Sequence, residues 1–227
     1  MDDFILELPN FVPKAFCKHL IEKFESDHRK RDGLIIINGE ERVIPELKNS
    51  KEIFISGLED WEKDDEEIRF FMSKALEHYN KRLQHLFEHN QPIHTFGTLL
   101  SANMGDLGYT LQRQQRGAKY AWHYDGGSTG NNQMHYLFVI MYLNTLEPNE
   151  GGQTMFSNGR KIRPECGKIM MCPSSWTYPH CGAEVKADNK YILTTTILVS
   201  NQPKFGTVPS EMAQNNQLSH ENTVSKC

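Results

Sequence analysis

The sequence predicts a mainly β protein, a sandwich or barrel with flanking helices. Three observations point there. From about residue 95 to about residue 200, short β-rich segments alternate with Gly, Asn and Pro turns, with no helical stretch between them. Ahead of them lie two amphipathic stripes at helical spacing. The length of 227 residues is enough for one substantial core.

Along the chain, Phe16, Leu20, Ile21 and Phe24 mark a helix over Lys14 to Glu25, just after Pro13, a residue suited to a helix start. Residues 28 to 60 mix charges with short apolar runs such as Leu34 to Ile37 and read as strands and loops. The clearest helix spans Asp64 to His89. There Ile68, Phe71, Met72, Ala75, Leu76, Tyr79, Leu83 and Leu86 recur at three- and four-residue steps as a core-facing stripe. Asp64, Asp65, Glu66 and Glu67 crowd its first turn, where the helix dipole favours negative charge. Strands are expected at Tyr109–Gln114, Tyr120–Tyr124, Tyr136–Leu143, Gln153–Phe156, Lys168–Cys172 and Tyr191–Ser200. Tyr136 to Met141 is apolar without alternation, so both of its faces should be covered. After Asn201 the chain turns polar, a composition that suits a mobile tail.

A formal charge of −4 gives no global pull toward phosphate backbones or anionic lipid. No interleaved basic and aromatic stretch tracks a nucleic acid. No apolar run reaches the roughly 20 residues that span a bilayer. The opening Met1-Asp2-Asp3-Phe4 is acidic where a secretory signal is basic, so the expected location is cytoplasmic. Cysteines at 17, 166, 172, 181 and 227 are odd in number and show no C-x-x-C spacing, which suits free thiols and argues against a zinc ribbon.

The chemistry concentrates in Tyr120-Ala121-Trp122-His123-Tyr124-Asp125-Gly126-Gly127. Residues two apart on a strand share a face, so His123 and Asp125 would project together. One more neutral imidazole would complete a two-His-one-carboxylate set, which leaves coordination positions open and marks non-haem Fe(II) oxygenases. By itself the pair is a poor metal signal and reads better as a surface turn with a hydrogen-bonded His and Asp. His180 lies further on in Pro179-His180-Cys181-Gly182, and ten positions later Lys190 opens the apolar strand Tyr191 to Leu198. A lysine buried there needs an anion, such as one carboxylate of a dicarboxylate. Taken alone, it reads better as an exposed lysine at a strand start.

Five spaced groups now resemble the prolyl 4-hydroxylase branch of the Fe(II)/2-oxoglutarate dioxygenases. They are Leu143-Asn144, Glu150-Gly151-Gly152-Gln153-Thr154-Met155-Phe156, Pro173-Ser174-Ser175-Trp176, His180-x-Gly182 and Lys190-x-x-Leu193-Thr194-Thr195. The similarity runs from about Gln112 to Val199, and Leu8-Pro9-Asn10-Phe11-Val12 ahead of a helix fits the family's opening. The resemblance implies a double-stranded β-helix, or jelly roll. It also implies Fe(II) on His123, Asp125 and His180, the far carboxylate of 2-oxoglutarate on Lys190, and Thr154 in the cosubstrate site, although Thr154 reads equally as an ordinary strand residue. Gln114 stands where the family often has a tyrosine, and its amide can hydrogen-bond the cosubstrate. Gly117 and Tyr120 keep the pattern. Thr196 stands where the family often has a tryptophan, leaving a smaller and more polar wall.

The implied domain covers residues 1–200, with helical support over about 1–93, a jelly-roll core over about 94–200 and a tail over 201–227. The implied reaction consumes 2-oxoglutarate and O2, with ascorbate as accessory reductant, and hydroxylates a C–H bond. No side-chain acid or base is required beyond the metal ligands. The expected substrate is a prolyl residue in a peptide or protein, with a free amino acid or small metabolite as the alternative. A jelly-roll module that keeps its metal without turnover is the reading from another class. A zinc hydrolase would need a general base near the metal, and nothing nominates one.

Around the site, Tyr120 and Thr196 are candidate substrate contacts. Trp122 and Tyr124, on the parity opposite to His123, are expected to pack the core. The loop Gly126 to Gln133 could act as a lid or simply be a hairpin connection. His19, His28, His78, His85 and His89 are expected to be solvated; His94, His135 and His220 complete no ligand set. Cys181 should point away from the site that His180 faces.

Overall fold

A computed structural model describes residues 4–37, 40–87, 104–126, 128–129 and 133–199. The expectations for His89, His94, His220, the tail 201–227 and the centre of the 126–133 loop lie outside the described residues. In chain order the elements are β1 (Leu6–Leu8), α1 (Lys14–Ser26), β2 (Arg31–Asp32), β3 (Ile35–Ile37), β4 (Glu40–Arg42), β5 (Lys51–Phe54), α2 (Glu62–Phe87), β6 (Met104–Asp106) and β7 (Thr110–Gln115). They continue with β8 (Tyr120–His123), β9 (Ser128–Thr129), β10 (Gln133–Tyr142), β11 (Thr154–Phe156), β12 (Lys161–Ile162), β13 (Ile169–Pro173), β14 (His180–Gly182) and β15 (Asn189–Val199).

The large sheet runs β1-β13-β10-β15-β7-β5-β2, with β6 on β15 and β9 on β10. The small sheet runs β12-β11-β14-β8, and β3 pairs with β4 as a separate hairpin. Every pairing is antiparallel. This is the mainly β, two-sheet jelly roll with supporting helices that the sequence implies. The front of the chain adds more than helices, because β1, β2 and β5 extend the large sheet.

Alternation along β10 explains its unbroken apolar run. Val139 and Met141 join Phe16, Leu20, Phe24, Trp61, Ile68 and Met72, which come from α1, α2 and the turn between them. Ile140 and Tyr142 face the other way and pack with Phe156, Ile162, Met170 and Ile192. Both faces of the strand are therefore buried, one under helices and one between the sheets. The helices are tied together by Asp64, which meets His19 Nε2 at 2.7 Å and Lys23 Nζ at 2.5 Å. The Trp61 indole N–H donates to Asp27 Oδ2 (3.0 Å), just past the end of α1. Arg29 holds the same carboxylate, and its hydrogen bonds keep the Asp27 carboxyl far below the usual carboxylate range.

Candidate metal and cosubstrate site

His123 ends β8 and His180 begins β14, and the two are direct partners across the small sheet. Cross-strand partners on one face are close neighbours, and the imidazole centroids lie 4.4 Å apart. Asp125 follows two residues after His123. Its Oδ1 is 3.7 Å from His123 Nε2, and its Oδ2 is 3.2 Å from His180 Nε2. The turn after it passes close to Ser174, whose carbonyl oxygen would sit 2.7 Å from any Cβ placed on Gly126. The side-chain donor atoms of the three residues all fall within 4.8 Å of one another.

Both imidazoles are oriented from behind. His123 Nδ1 lies 2.7 Å from Ala121 O, and His180 Nδ1 lies 3.2 Å from Tyr178 O. A carbonyl only accepts, so each Nδ1 carries the proton and each Nε2 keeps a free lone pair. Burial, followed by the charge of His180, lowers the His123 pKa and favours the neutral ring. Burial alone would raise the Asp125 carboxyl, but His180, His123 and His135 outweigh it and hold it below the usual range. Among the described residues, Asp125 Oδ2 and His180 Nε2 are buried with no hydrogen-bond partner. Two imidazoles and one carboxylate, with Nε2 and Oδ atoms aimed at a common point, make a donor set that could hold a divalent metal ion.

Lys190, near the start of β15, is 2 % exposed. It is not the solvated strand-start lysine that its position alone allows. Its pKa is pushed down to about 8 by burial alone, with no carboxylate contributing. Gln114 stands opposite it on β7, also buried, with an unpartnered Oε1. Thr154 Oγ1 is 2.7 Å from the Tyr142 hydroxyl, and the Lys190 ammonium lies 6.0 Å from the Tyr142 ring centroid. The Glu-Gly-Gly-x-Thr motif has a steric cause here. A Cβ on Gly151 would fall 2.0 Å from Glu184 O, and one on Gly152 would meet Leu146 at 2.6 Å and the Lys190 stem at 3.3 Å. Both glycines also have positive φ. A buried ammonium facing open space, with an amide and hydroxyls beside it, fits a carboxylate.

One cavity of about 300 Å³ unites these groups. It is lined by His123, Asp125, His180, Gln114, Thr154 and Lys190, and also by Tyr120 and Thr196. All eight site residues named from the sequence therefore meet in one place. Sequence reasoning missed Tyr142, Phe138 and His135. Phe138 stacks on His180 (centroids 5.0 Å apart, planes 17°), and His135 Nδ1–H donates to the backbone carbonyl of Asp125 (2.8 Å). Tyr142 was detectable, because a phenol inside a fully covered strand needs a buried partner. The wall from Leu34, Ile36, Glu41 and Lys48 carried no sequence signal.

One expectation needs correction. Trp122 and Tyr124 do point away from His123, but they are 55 % and 56 % exposed, because the described residues leave their side of the chain uncovered. His135 is not among the clustered ligand atoms but supports Asp125 through its backbone carbonyl. His28, His78 and His85 are exposed, as expected. Cys181 is buried beside Met155 on β11. In the 126–133 loop, Ser128–Thr129 pairs with Gln133–Met134 as a hairpin.

Comparison with known proteins agrees with this geometry. Residues 109–197 match the family described as the 2OG-Fe(II) oxygenase superfamily. No curated protein matches the chain. Among solved structures, the chain is similar to a prolyl hydroxylase from Trichoplax adhaerens in complex with a hypoxia inducible factor peptide. The TM-score is 0.64 at 16 % identity, covering 87 % of this chain and 84 % of that one. It is also similar to a viral collagen prolyl hydroxylase from Paramecium Bursaria Chlorella virus-1, in its 2OG complex (TM-score 0.57, 18 % identity, 87 % and 97 % covered). A third is a Pseudomonas putida prolyl-4-hydroxylase (TM-score 0.56, 14 % identity, 85 % and 91 % covered). These three are likenesses of fold. Residues 109–197 thus carry the pattern of the 2OG-Fe(II) oxygenase superfamily, on a fold shared with prolyl hydroxylases.

Proposed function

We propose that this protein is an Fe(II)- and 2-oxoglutarate-dependent hydroxylase of prolyl residues in a peptide or protein. The observation that carries the oxygenase reading is the meeting, in one cavity, of a two-His-one-carboxylate set with a buried lysine that has no carboxylate partner among the described residues. In this reading His123, Asp125 and His180 hold the iron. Lys190 takes the far carboxylate of 2-oxoglutarate, with Thr154, Tyr142 and Gln114 around it. When bound, iron with 2-oxoglutarate and O2 supplies oxidative hydroxylation of a C–H bond, with succinate and carbon dioxide as coproducts. The chain's own residues supply placement. Backbone carbonyls fix both imidazole tautomers, and His135 fixes the turn that carries Asp125. Phe138, Ile140 and Ile192 give part of the cavity an apolar wall that keeps water away. No side chain needs to act as acid or base.

Prolyl specificity is supported by the likeness to three prolyl hydroxylases, one of them bound to a peptide. Free thiols at Cys17, Cys166 and Cys181 support a reducing, cytoplasmic setting. Among the described residues, no helix is long and apolar enough to cross a membrane.

A small polar substrate is the second reading, and one wall favours it. Thr110, Gln112, Thr194 and Thr196 line the cavity, with Gln112 Nε2 donating to Thr194 Oγ1 (3.0 Å). The volume sits at the low end of ligand sites, which run from about 300 Å³ upward. The test is succinate formation with Fe(II), 2-oxoglutarate, ascorbate and a proline-rich peptide pool, beside a His123→Ala/Asp125→Ala control. Peptide-stimulated succinate with a one-oxygen mass gain on proline, absent in the control, is the expected result. Succinate without peptide stimulation moves the assignment to the small-molecule reading. No succinate, with iron and 2-oxoglutarate still bound, leaves a binding module.

A further inference from the structure

The N-terminal segment braces the strand that carries the first candidate ligand. β8 is an edge of the small sheet, and residues 47–49 run along its free side. Ala121 N–H donates to Leu47 O (2.7 Å), Asn49 N–H donates to Lys119 O (3.3 Å), and Lys48 stands opposite Tyr120 in a β-bridge. The Lys48 ammonium lies 5.3 Å from the Tyr120 ring centroid. That ring lies against His123, with centroids 3.7 Å apart and planes 23° from parallel. Lys48 is itself held. Its Nζ is 2.7 Å from Glu52 Oε1 and donates to Leu34 O (3.1 Å), while Ser50 Oγ donates to the same Glu52 oxygen (2.7 Å). Lys48 and Glu52 are both buried, and Gly33 leaves them room: a Cβ there would fall 2.2 Å from Ser50 Oγ and 2.9 Å from Glu52 Oε1.

A buried ion pair is no stability gain in itself, because desolvation offsets the attraction. This one is aimed, through a single aromatic ring, at the less restrained imidazole. His180 lies against Phe138 and Phe156, with centroids at 5.0 and 5.6 Å. Behind His123 there is one hydrogen bond, to its own strand, and the Tyr120 ring. We propose that the Lys48–Glu52 pair is a positioning device for His123: it pins Tyr120, and Tyr120 holds the imidazole with Nε2 toward Asp125 and His180. The proposal rests on the reading of those three residues as metal ligands.

The test is titration of the metal-free, full-length protein with Mn(II) alone, together with the visible absorption of the Co(II) form. Lys48→Met/Glu52→Gln removes both charges without stranding either. Tyr120→Leu removes the ring and keeps the pair, so the question survives if the double variant fails to fold. Both variants should bind Mn(II) about tenfold more weakly, in line with outer-shell partners of metal ligands, with an altered Co(II) spectrum. Tyr120→Phe, which keeps the stack, should bind like the unaltered protein. A merely structural role would lower the melting temperature of the variants and leave the Mn(II) affinity of the folded protein unchanged. Unaltered affinity in Tyr120→Leu, or in a folded double variant, overturns the proposal alone. Failure of the unaltered protein to bind Mn(II) overturns the ligand reading and this proposal with it.

Discussion

Lys190 and Gln114 stand on β15 and β7, strands of 11 and 6 residues inside the large sheet, whereas His123, Thr154 and His180 stand on strands of 3 or 4 residues in the small one. The long strands are hydrogen-bonded on both sides. Helices cover one face of their sheet. The positions of Lys190 and Gln114, the proposed anion contacts, are therefore fixed by the ladder itself. The proposed metal ligands are fixed locally, by carbonyls behind two imidazoles, by His135 behind Asp125 and by residues 47–49 along β8. Substitutions at Lys190 and Gln114 should change anion binding and leave metal binding intact, and substitutions in the local braces, His135 of β10 among them, should show the reverse.

The largest expected effect is at the shared centre. Asp125→Ala should weaken Mn(II) binding by more than the roughly 100-fold that outer-shell partners reach, and should abolish succinate formation. Next, Lys190→Met should weaken 2-oxoglutarate binding by about 2 kcal/mol, roughly 30-fold, the worth of a charge-assisted hydrogen bond. Mn(II) affinity should not change, and the metal-free protein should melt higher, because a buried unpaired charge has become apolar. A parallel loss of metal affinity in Lys190→Met would break the division between the sheets.

The pH dependence sharpens the same contrast. With the Lys190 pKa lowered to about 8, 2-oxoglutarate affinity should fall up to about tenfold per pH unit above that value, as the ammonium is lost. The contribution of Lys190 to folding stability has the opposite sign. Between about 8 and the ordinary lysine value of 10.5, the unfolded chain holds a proton that the folded one does not. Stability should therefore rise with pH across that window. Calorimetric titration and thermal melts over the same buffers check both slopes. Smaller again, His135→Phe should weaken Mn(II) binding by up to about tenfold, through loss of the donor on the Asp125 carbonyl. Smallest of all, Trp176→Ala, at a side chain 74 % exposed, should change stability by no more than about 0.5 kcal/mol.

The same contrast governs what the sequence disclosed. Long strands such as β10 and β15 show their burial as apolar runs, and α2 shows its stripe, starting at Glu62 just ahead of the expected Asp64. The metal set was legible because His123 and Asp125 share a strand parity and His180 precedes a lysine in an apolar strand. Strands of two or three residues, such as β2, β6, β12 and β14, are too short to show a period. The wall built by residues 31–48 depends on long-range pairing that no local pattern encodes. Trp122 and Tyr124 had the right parity and the wrong surroundings, since parity names a face without saying whether anything covers it.

The most direct test of the central claim is calorimetric titration of 2-oxoglutarate into the metal-free and the Mn(II)-loaded protein. The account predicts strong binding that requires both Mn(II) and Lys190, together with Mn(II) binding that requires neither 2-oxoglutarate nor Lys190. Binding of 2-oxoglutarate that is indifferent to Mn(II), or that survives Lys190→Met unchanged, would contradict it.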